Sequence, residues 1–293
     1  MELKNFIEEI EKQKFKVEGV RVLQKGLEIA SHRWTPECRR NVFSISKSLT
    51  SIAVGMAIEE GKLRLSDRVT GFFKRDEPDP RWDRLTLEHL LTMNMGHAEF
   101  SRPASVEEAL SYKLKHDPGT LFFYDNTCTF LVSAMLTRVT GLKMRDYLIE
   151  RLFRPLGISD PPWGESEDGY TLGATGLFLT TSEMALFGKF LLSRGYWEGK
   201  QLVPAAWIES ATRTQVATGL HKKPDYNLGY GYQFWICRHG AYRCDGKDGQ
   251  FIVVLPALDA VIAINSDEEK AEPILWAVWD HILPALNGER ETP

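Results

Sequence analysis

The chain has 293 residues, is 43% hydrophobic and 26% charged, and carries a formal net charge of −4. This is ordinary globular usage, long enough to bury a substantial core and to form two lobes. The small negative charge leaves no electrostatic footprint for nucleic acid or anionic lipid, and no stretch approaches the roughly 18 apolar residues of a membrane span.

The first segment, MELKNFIEEIEKQKF, does not read as a signal peptide, because acidic residues interrupt any apolar run. Leu3, Phe6, Ile7 and Ile10 instead fit one face of an amphipathic helix, so a cytoplasmic location is expected. VEGVRVLQ and LEIASHRW then read as two strands joined at Lys25-Gly26. A helix follows with Leu49, Ile52, Ala53 and Met56 at i, i+3, i+4 and i+7, stopping at Gly61. From about 63 to 200 the pattern is mostly helix and loop. Helices are predicted near 87–93, 127–139, 144–153 and 183–193, the last with Thr180 and Glu183 at capping-box spacing.

Beyond about 229 the period changes to two. YGYQFWICRH, AYRCDG, GQFIVVLP and AVIAINS read as successive strands, and a helix over about 273–286 closes the chain. The expected fold class is α/β of the α+β type. Residues 1–62 and 200–293 would build one antiparallel sheet flanked by helices, and 63–199 an inserted helical lobe, with the active site in the cleft between them. Cys38, Cys128, Cys237 and Cys244 show no C-x-x-C spacing, and the histidines form no H-E-x-x-H pair. Free thiols, no metal and no cofactor are therefore expected, although Cys237 and Cys244 would face each other in a suitable hairpin register.

Three short motifs carry the chemistry. Ser44-Ile45-Ser46-Lys47 opens the first long helix, and a spacing of three puts Ser44 and Lys47 on one helical face. A serine hydroxyl needs a base to become a nucleophile, and a lysine of lowered pKa supplies one. Tyr124-Asp125-Asn126 precedes a helix that Asn126 would cap, and Lys247-Asp248-Gly249 precedes the strand GQFIVVLP, where Gly249 would let a substrate approach the backbone. Singly, each has a bland reading: a helix start with a solvated Lys, a capping Asn beside a core Tyr, and an exposed turn. S-x-x-K, Y-x-N and K-x-G each occur once, in that order.

Together they resemble the serine β-lactamases and penicillin-binding proteins in their Tyr-containing form. FSISKSLTS, LTLEHLLTMNMGH, ERLFRPLGI, LTTSEMALFGKFLL and YGYQFW are similar to class C β-lactamases and to related esterases and aminohexanoate-oligomer hydrolases, over roughly 20–285. The resemblance implies a serine hydrolase working through an acyl-enzyme on an ester or amide. It implies acylation of Ser44, base and acid work by Lys47 and Tyr124, orientation by Asn126, positive potential from Lys247, and an oxyanion hole from the N–H groups of Ser44 and Gln250. Holding Tyr124 as a phenolate would take about 4 kcal/mol, which two nearby lysines would supply at about 4 kcal/mol each.

Asp248 stands where these families usually carry Thr, and Met95-Gly96 where Ser-Gly is frequent. A carboxylate at 248 would repel a β-lactam carboxylate, so neutral esters or amides are expected over β-lactams. A β-lactamase or D-amino-acid peptidase is the alternative within enzymes, and a catalytically inactive ligand-binding homologue the one outside them. No G-x-S-x-G elbow supports a Ser-His-Asp hydrolase. A small-molecule or short-peptide acyl substrate is expected, with no nucleic-acid or membrane partner; the oligomeric state stays open. His97 and Glu99 read as a solvated loop, Trp163 and Trp235 as core aromatics, and Asp67 as holding a turn.

Overall fold

The computed structural model describes residues 3–288. The amphipathic helix α1 (Lys4–Gln13) leads into β1 (Val17–Gln24) and β2 (Leu27–Arg33), a hairpin whose turn residues Lys25 and Gly26 both have positive φ, as a tight right-twisting hairpin turn requires. A two-residue strand, β3 (Arg40–Asn41), precedes the central helix α2 (Ile45–Glu59). The segment after it carries α3 (Pro80–Arg84), α4 (Leu87–Leu91), α5 (Val106–Ser111), α6 (Asn126–Thr140) and α7 (Met144–Leu148). It returns through β4 (Phe178–Leu179), which pairs with β3, to α8 (Thr181–Leu192), the ribbon of β5 (Tyr196–Trp197) and β6 (Lys200–Gln201), and α9 (Ala205–Ala211). Then come β7 (Trp235–Ile236), β8 (Tyr242–Gly246), β9 (Gln250–Leu255) and β10 (Ala260–Ser266), followed by α10 (Ala271–Ala277) and α11 (Leu283–Leu286).

Strands from both chain ends form one six-stranded antiparallel sheet, ordered β2-β1-β10-β9-β8-β7. Both its faces are covered, and the alternation of side chains divides two cores. Phe251, Val253, Ile262 and Ile264 face α1 and α10, with Phe6, Ile274 and Leu275. Ile252, Val254, Val261 and Ala263 face the other way, toward the core that α2, α6 and α8 share. Helix α8 packs on β10, β1 and β9, although its place in the chain groups it with the helical segment. Its capping box is formed, with Thr180 and Glu183 exchanging both bonds.

Helix α2 is buried on every side from Ile45 to Ala57 and packs against α6, α7, α9 and β8. Its polar residues bind the loops around it: Ser48 donates to Gln233 O at 2.9 Å and Thr50 to Gly173 O at 3.0 Å. All four cysteines are free, and the Cys237 thiol meets Arg243 at 3.1 Å rather than Cys244. Asp67 closes its turn by accepting from Arg64 N at 2.8 Å. Among the described residues no helix is long and apolar enough to cross a membrane.

Gly188 shows how closely α8 meets the sheet: a Cβ there would sit 2.4 Å from Val261 Cγ1 and 2.8 Å from Ile252 Cγ2. In an exposed helix Gly→Ala stabilises by about 1 kcal/mol, whereas overpacking a core costs about 1–3 kcal/mol. Gly188→Ala should therefore lower stability in urea unfolding. An increase would mean that α8 can shift off the sheet at little cost.

Candidate active site

Ser44 sits at the N-terminus of α2, directly after a strained residue. Phe43 has φ +45°, a left-handed conformation rare outside glycine. Two contacts hold it: the Phe43 N–H donates to Asn41 Oδ1 at 2.9 Å, and the Asn41 carbonyl accepts from Gln250 Nε2 at 2.7 Å. Val42 N–H is fixed by Leu177 O at 2.8 Å. The bend turns Ser44 toward a cleft of about 620 Å³, which Asn41, Phe43, Tyr124, Asn126 and Lys247 also line.

One turn along α2, Lys47 is 1% exposed. Its Nζ lies 3.0 Å from Ser44 Oγ, 2.6 Å from Asn126 Oδ1 and 2.8 Å from Ala174 O. Burial drives the amine down from the ordinary lysine range to about 7, with Asp125 pulling it partly back. In its neutral form the amine has two hydrogens and one lone pair. Asn126 Oδ1 and Ala174 O accept the hydrogens, which leaves the lone pair for the Ser44 hydroxyl.

Tyr124 lies on the other side, with Lys47 Nζ 5.0 Å from its ring centre. The phenolate expectation does not survive here. Burial pushes the phenol well above its usual range, and hydrogen bonding to Ser44 and Trp235 offsets only part of that. The second lysine is also elsewhere: the Lys247 side chain is 60% exposed and pairs with Asp248 at 3.0 Å. Asn126 does not cap α6 but is its first residue; Asp125 occupies the N-cap, fully buried, and accepts from Ser101 N at 2.8 Å and from Ser101 Oγ at 3.1 Å. His97 is buried rather than solvated, stacked on Tyr112 with its Nδ1 3.5 Å from Asp125, whereas Glu99 is exposed and pairs with Lys115.

The third motif does lead into β9, but of its three residues only Lys247 lines the cleft. Asp248 and Gly249 have φ +63° and +78°, so they form the β8–β9 turn, outside the residues that line the cleft. A Cβ on Gly249 would meet Ile274 Cδ1 at 2.7 Å and Ser266 Oγ at 3.1 Å, in the core behind the sheet and not against a substrate. Gln250 is buried and spends its amide on Asn41. The close approach belongs to Gly246, where a Cβ would come 2.5 Å from Val42 O. Side chains two apart share a face, and Asp245 and Lys247 are the residues of this hairpin that line the cleft.

Several residues at and behind the cleft wall carry no short motif. Behind Asp245, Arg243 is fully buried, donating to Asp245 at 2.7 Å and to Asp225 O at 2.9 Å beside the ring of Tyr226. Trp235 walls the cleft while Trp163 stays in the core against Phe153. Phe100, Arg102, Leu220 and Lys223 complete the rim. An R-x-D pair in a strand was the available signal for Arg243 and Asp245; the loop residues gave none.

The β-lactamase family model matches residues 12–282. The chain is 25% identical over 267 residues to the 6-aminohexanoate-dimer hydrolase of Paenarthrobacter ureafaciens, covering 78% of this chain and 66% of that protein. It is 29% identical over 150 residues to the lovastatin esterase of Penicillium rubens, covering 40% of this chain. It spans only about a third of the length of some curated relatives, 37% of that esterase and 32% of an Escherichia coli β-lactamase. The octameric penicillin-binding protein homologue of Pyrococcus abyssi superposes with a TM-score of 0.78 at 20% identity, over 98% of this chain and 77% of that one, a likeness of fold. Motif order, the sheet built from both chain ends and the family match over residues 12–282 agree: this chain belongs to the β-lactamase family, a group of hydrolases.

Proposed function

We propose that the protein hydrolyses an ester or amide through an acyl-enzyme on Ser44. The observation that carries this reading is the Lys47 amine, brought down to about 7 so that a large share is neutral at that pH, and placed 3.0 Å from Ser44 Oγ. Lys47 takes the serine proton as Oγ attacks the acyl carbon. Ser44 and Lys247 N–H groups receive the oxyanion, a reading preferred to Gln250 because Lys247 lines the cleft and Gly246 brings the end of β8 against Val42. Tyr124, protonated at neutral pH, relays the proton from the Lys47 ammonium to the leaving alcohol or amine. Water then attacks the acyl carbon and gives a proton to Lys47, which returns it to Ser44 Oγ as the ester bond breaks and the acid leaves. The relatives named lovastatin esterase and 6-aminohexanoate-dimer hydrolase support an ester or linear amide as the scissile group.

Wild-type protein should take up a fluorophosphonate on Ser44, located by peptide mass spectrometry, and Ser44→Ala should not; label on another serine would refute the assignment. The kcat/KM for an activated ester should fall about tenfold per pH unit below about 7, as Lys47 becomes protonated. An acid limb near 4 would point to a carboxylate base instead.

Folding also senses this lysine. Because its folded pKa lies below the unfolded value, the unfolded chain binds more protons between about pH 7 and 10, and stability rises with pH across that window. The penalty below pH 7 is on the order of 5 kcal/mol. From pH 6 to 10, the stability of wild type relative to Lys47→Met should improve by several kcal/mol in denaturant titrations. A constant difference would show an unperturbed amine.

Gly246→Ala tests the oxyanion assignment. Its methyl would displace β8 from Val42, so kcat for an activated ester should fall about 10²-fold or more in folded protein. Unchanged kcat would place the second donor elsewhere.

A further inference from the structure

We infer that Asp125, the middle residue of Tyr124-Asp125-Asn126, is a positioning residue of the site: turned away from the cleft, it clasps the rim loop at Ser101 and holds Tyr124 and Asn126 in register with Phe100 and Arg102. The inference rests on the hydrolase reading for the work that Tyr124 and Asn126 do.

The backbone at Asp125 is extended, with φ −142° and ψ 144°, so the side chains on either side of it point one way and its own points the other. Tyr124 and Asn126 line the cleft, and the Asp125 carboxylate is fully buried behind them. An N-cap aspartate usually accepts from the first turn of its helix; this one does not. Its Oδ1 takes the Ser101 N–H at 2.8 Å, and the Ser101 hydroxyl reaches both of its oxygens at 3.1 Å. Ser101 Oγ also meets Thr127 Oγ1 at 2.5 Å, so the clasp closes on α6 itself. The chain neighbours of Ser101, Phe100 and Arg102, both line the cleft. Residues 100–102 and 124–126 thus stand back to back, the outer pair of each on the cleft and the middle one in the clasp.

The carboxylate also acts through its charge. Among the described residues Asp125 pairs with no Lys or Arg; the group that faces it is His97 Nδ1, 3.5 Å away on a ring stacked against Tyr112. A buried carboxylate held by hydrogen bonds alone favours a cation nearby. The next residue, Asn126, places its Oδ1 2.6 Å from Lys47 Nζ. The charged and titratable groups acting on Lys47 are Asp125, Cys128 and Asp245, which favour the ammonium, and Arg102, which opposes it; Asp125 acts most strongly of the four. When Lys47 takes the serine proton, the cation that forms finds an anion already fixed behind Asn126.

Asp125→Ala opens the clasp, Asp125→Asn keeps its shape and an acceptor for the Ser101 N–H but drops the charge, and Ser101→Ala removes the hydroxyl bonds alone. For an activated ester, kcat should fall about 10²-fold in Asp125→Ala, recover in large part in Asp125→Asn, and fall by a smaller factor in Ser101→Ala, with denaturant titration showing each variant folded. The acid limb of kcat/KM should move from about 7 to about one pH unit lower in Asp125→Asn and stay in place in Ser101→Ala. Wild-type kcat in Asp125→Ala, or an unmoved limb in Asp125→Asn, would overturn the inference. If Asp125→Ala does not fold, wild-type kcat in Ser101→Ala overturns it instead. A measurement without turnover separates the clasp from the hydrolase reading. The stability difference between proteins with and without Lys47→Met levels off at low pH, where the amine is protonated in both folded and unfolded chains. That point should fall by about one pH unit when Asp125→Asn is added to both. The fall, in protein that takes up no fluorophosphonate and cleaves no ester, would keep the clasp and remove the hydrolase reading; its absence, in protein that labels and turns over, would do the reverse.

Discussion

The site depends on the removal of one amine from water. A lysine stem and head buried inside a helix core have no business being charged, and Lys47 meets that constraint by giving up its proton near neutrality. Everything needed to desolvate it is built from other segments: α2 is enclosed by α6, α7, α9 and β8, Ala174 supplies a carbonyl from the loop before β4, and Asn126 supplies its amide oxygen from the start of α6. Two acceptors and no more than two are placed around the nitrogen besides the serine. A third would favour the ammonium. The stability lost below pH 7 is the cost of an amine that can shed its proton near neutral pH.

The serine depends on a second strained element. A left-handed residue other than glycine costs about 1–2 kcal/mol, and Phe43 holds that conformation because a relay of hydrogen bonds leaves it no alternative. Gln250 on β9 fixes the Asn41 carbonyl, Asn41 fixes the Phe43 N–H, and the β3–β4 pair anchors Asn41 itself. The amide side chain of Gln250 thus reaches Ser44 indirectly, through the backbone bend that aims it. Replacing the Phe43 side chain by a smaller one would also remove the ring under Lys247. Backbone strain, the position of Ser44 and the seat of Lys247 share this one residue.

Much of this was legible in the chain, and the parts that were not have a common physical reason. The strand AVIAINS and the hairpin at Lys25-Gly26 lie where alternation and turn chemistry place them. Ser44 and Lys47 could be paired because i, i+3 spacing fixes which side chains meet on a helix. Lys247-Asp248-Gly249 was read as leading into the strand GQFIVVLP with Gly249 toward a substrate, and a three-residue motif does not state which of its side chains face the cleft. Shifting a register by one residue reverses every side chain, and the turn at Asp248-Gly249 put Asp245 and Lys247, not Asp248, on the cleft face. Arg243 escaped notice for a related reason: its burial is made acceptable by Asp245, Asp225 and the Tyr226 ring, and Tyr226 and Asp225 lie in a loop whose path no periodicity predicts.

The rim and the base are electrostatically one system. Arg102 is among the groups that depress the Lys47 pKa, opposed by Asp125 and Asp245. Burial outweighs every charge in that balance, so the lowered pKa survives changes at the exposed rim: the charge on Arg102 is screened by salt and contributes modestly, whereas the protein that encloses Lys47 Nζ, with the acceptors on Asn126 and Ala174, stays in place.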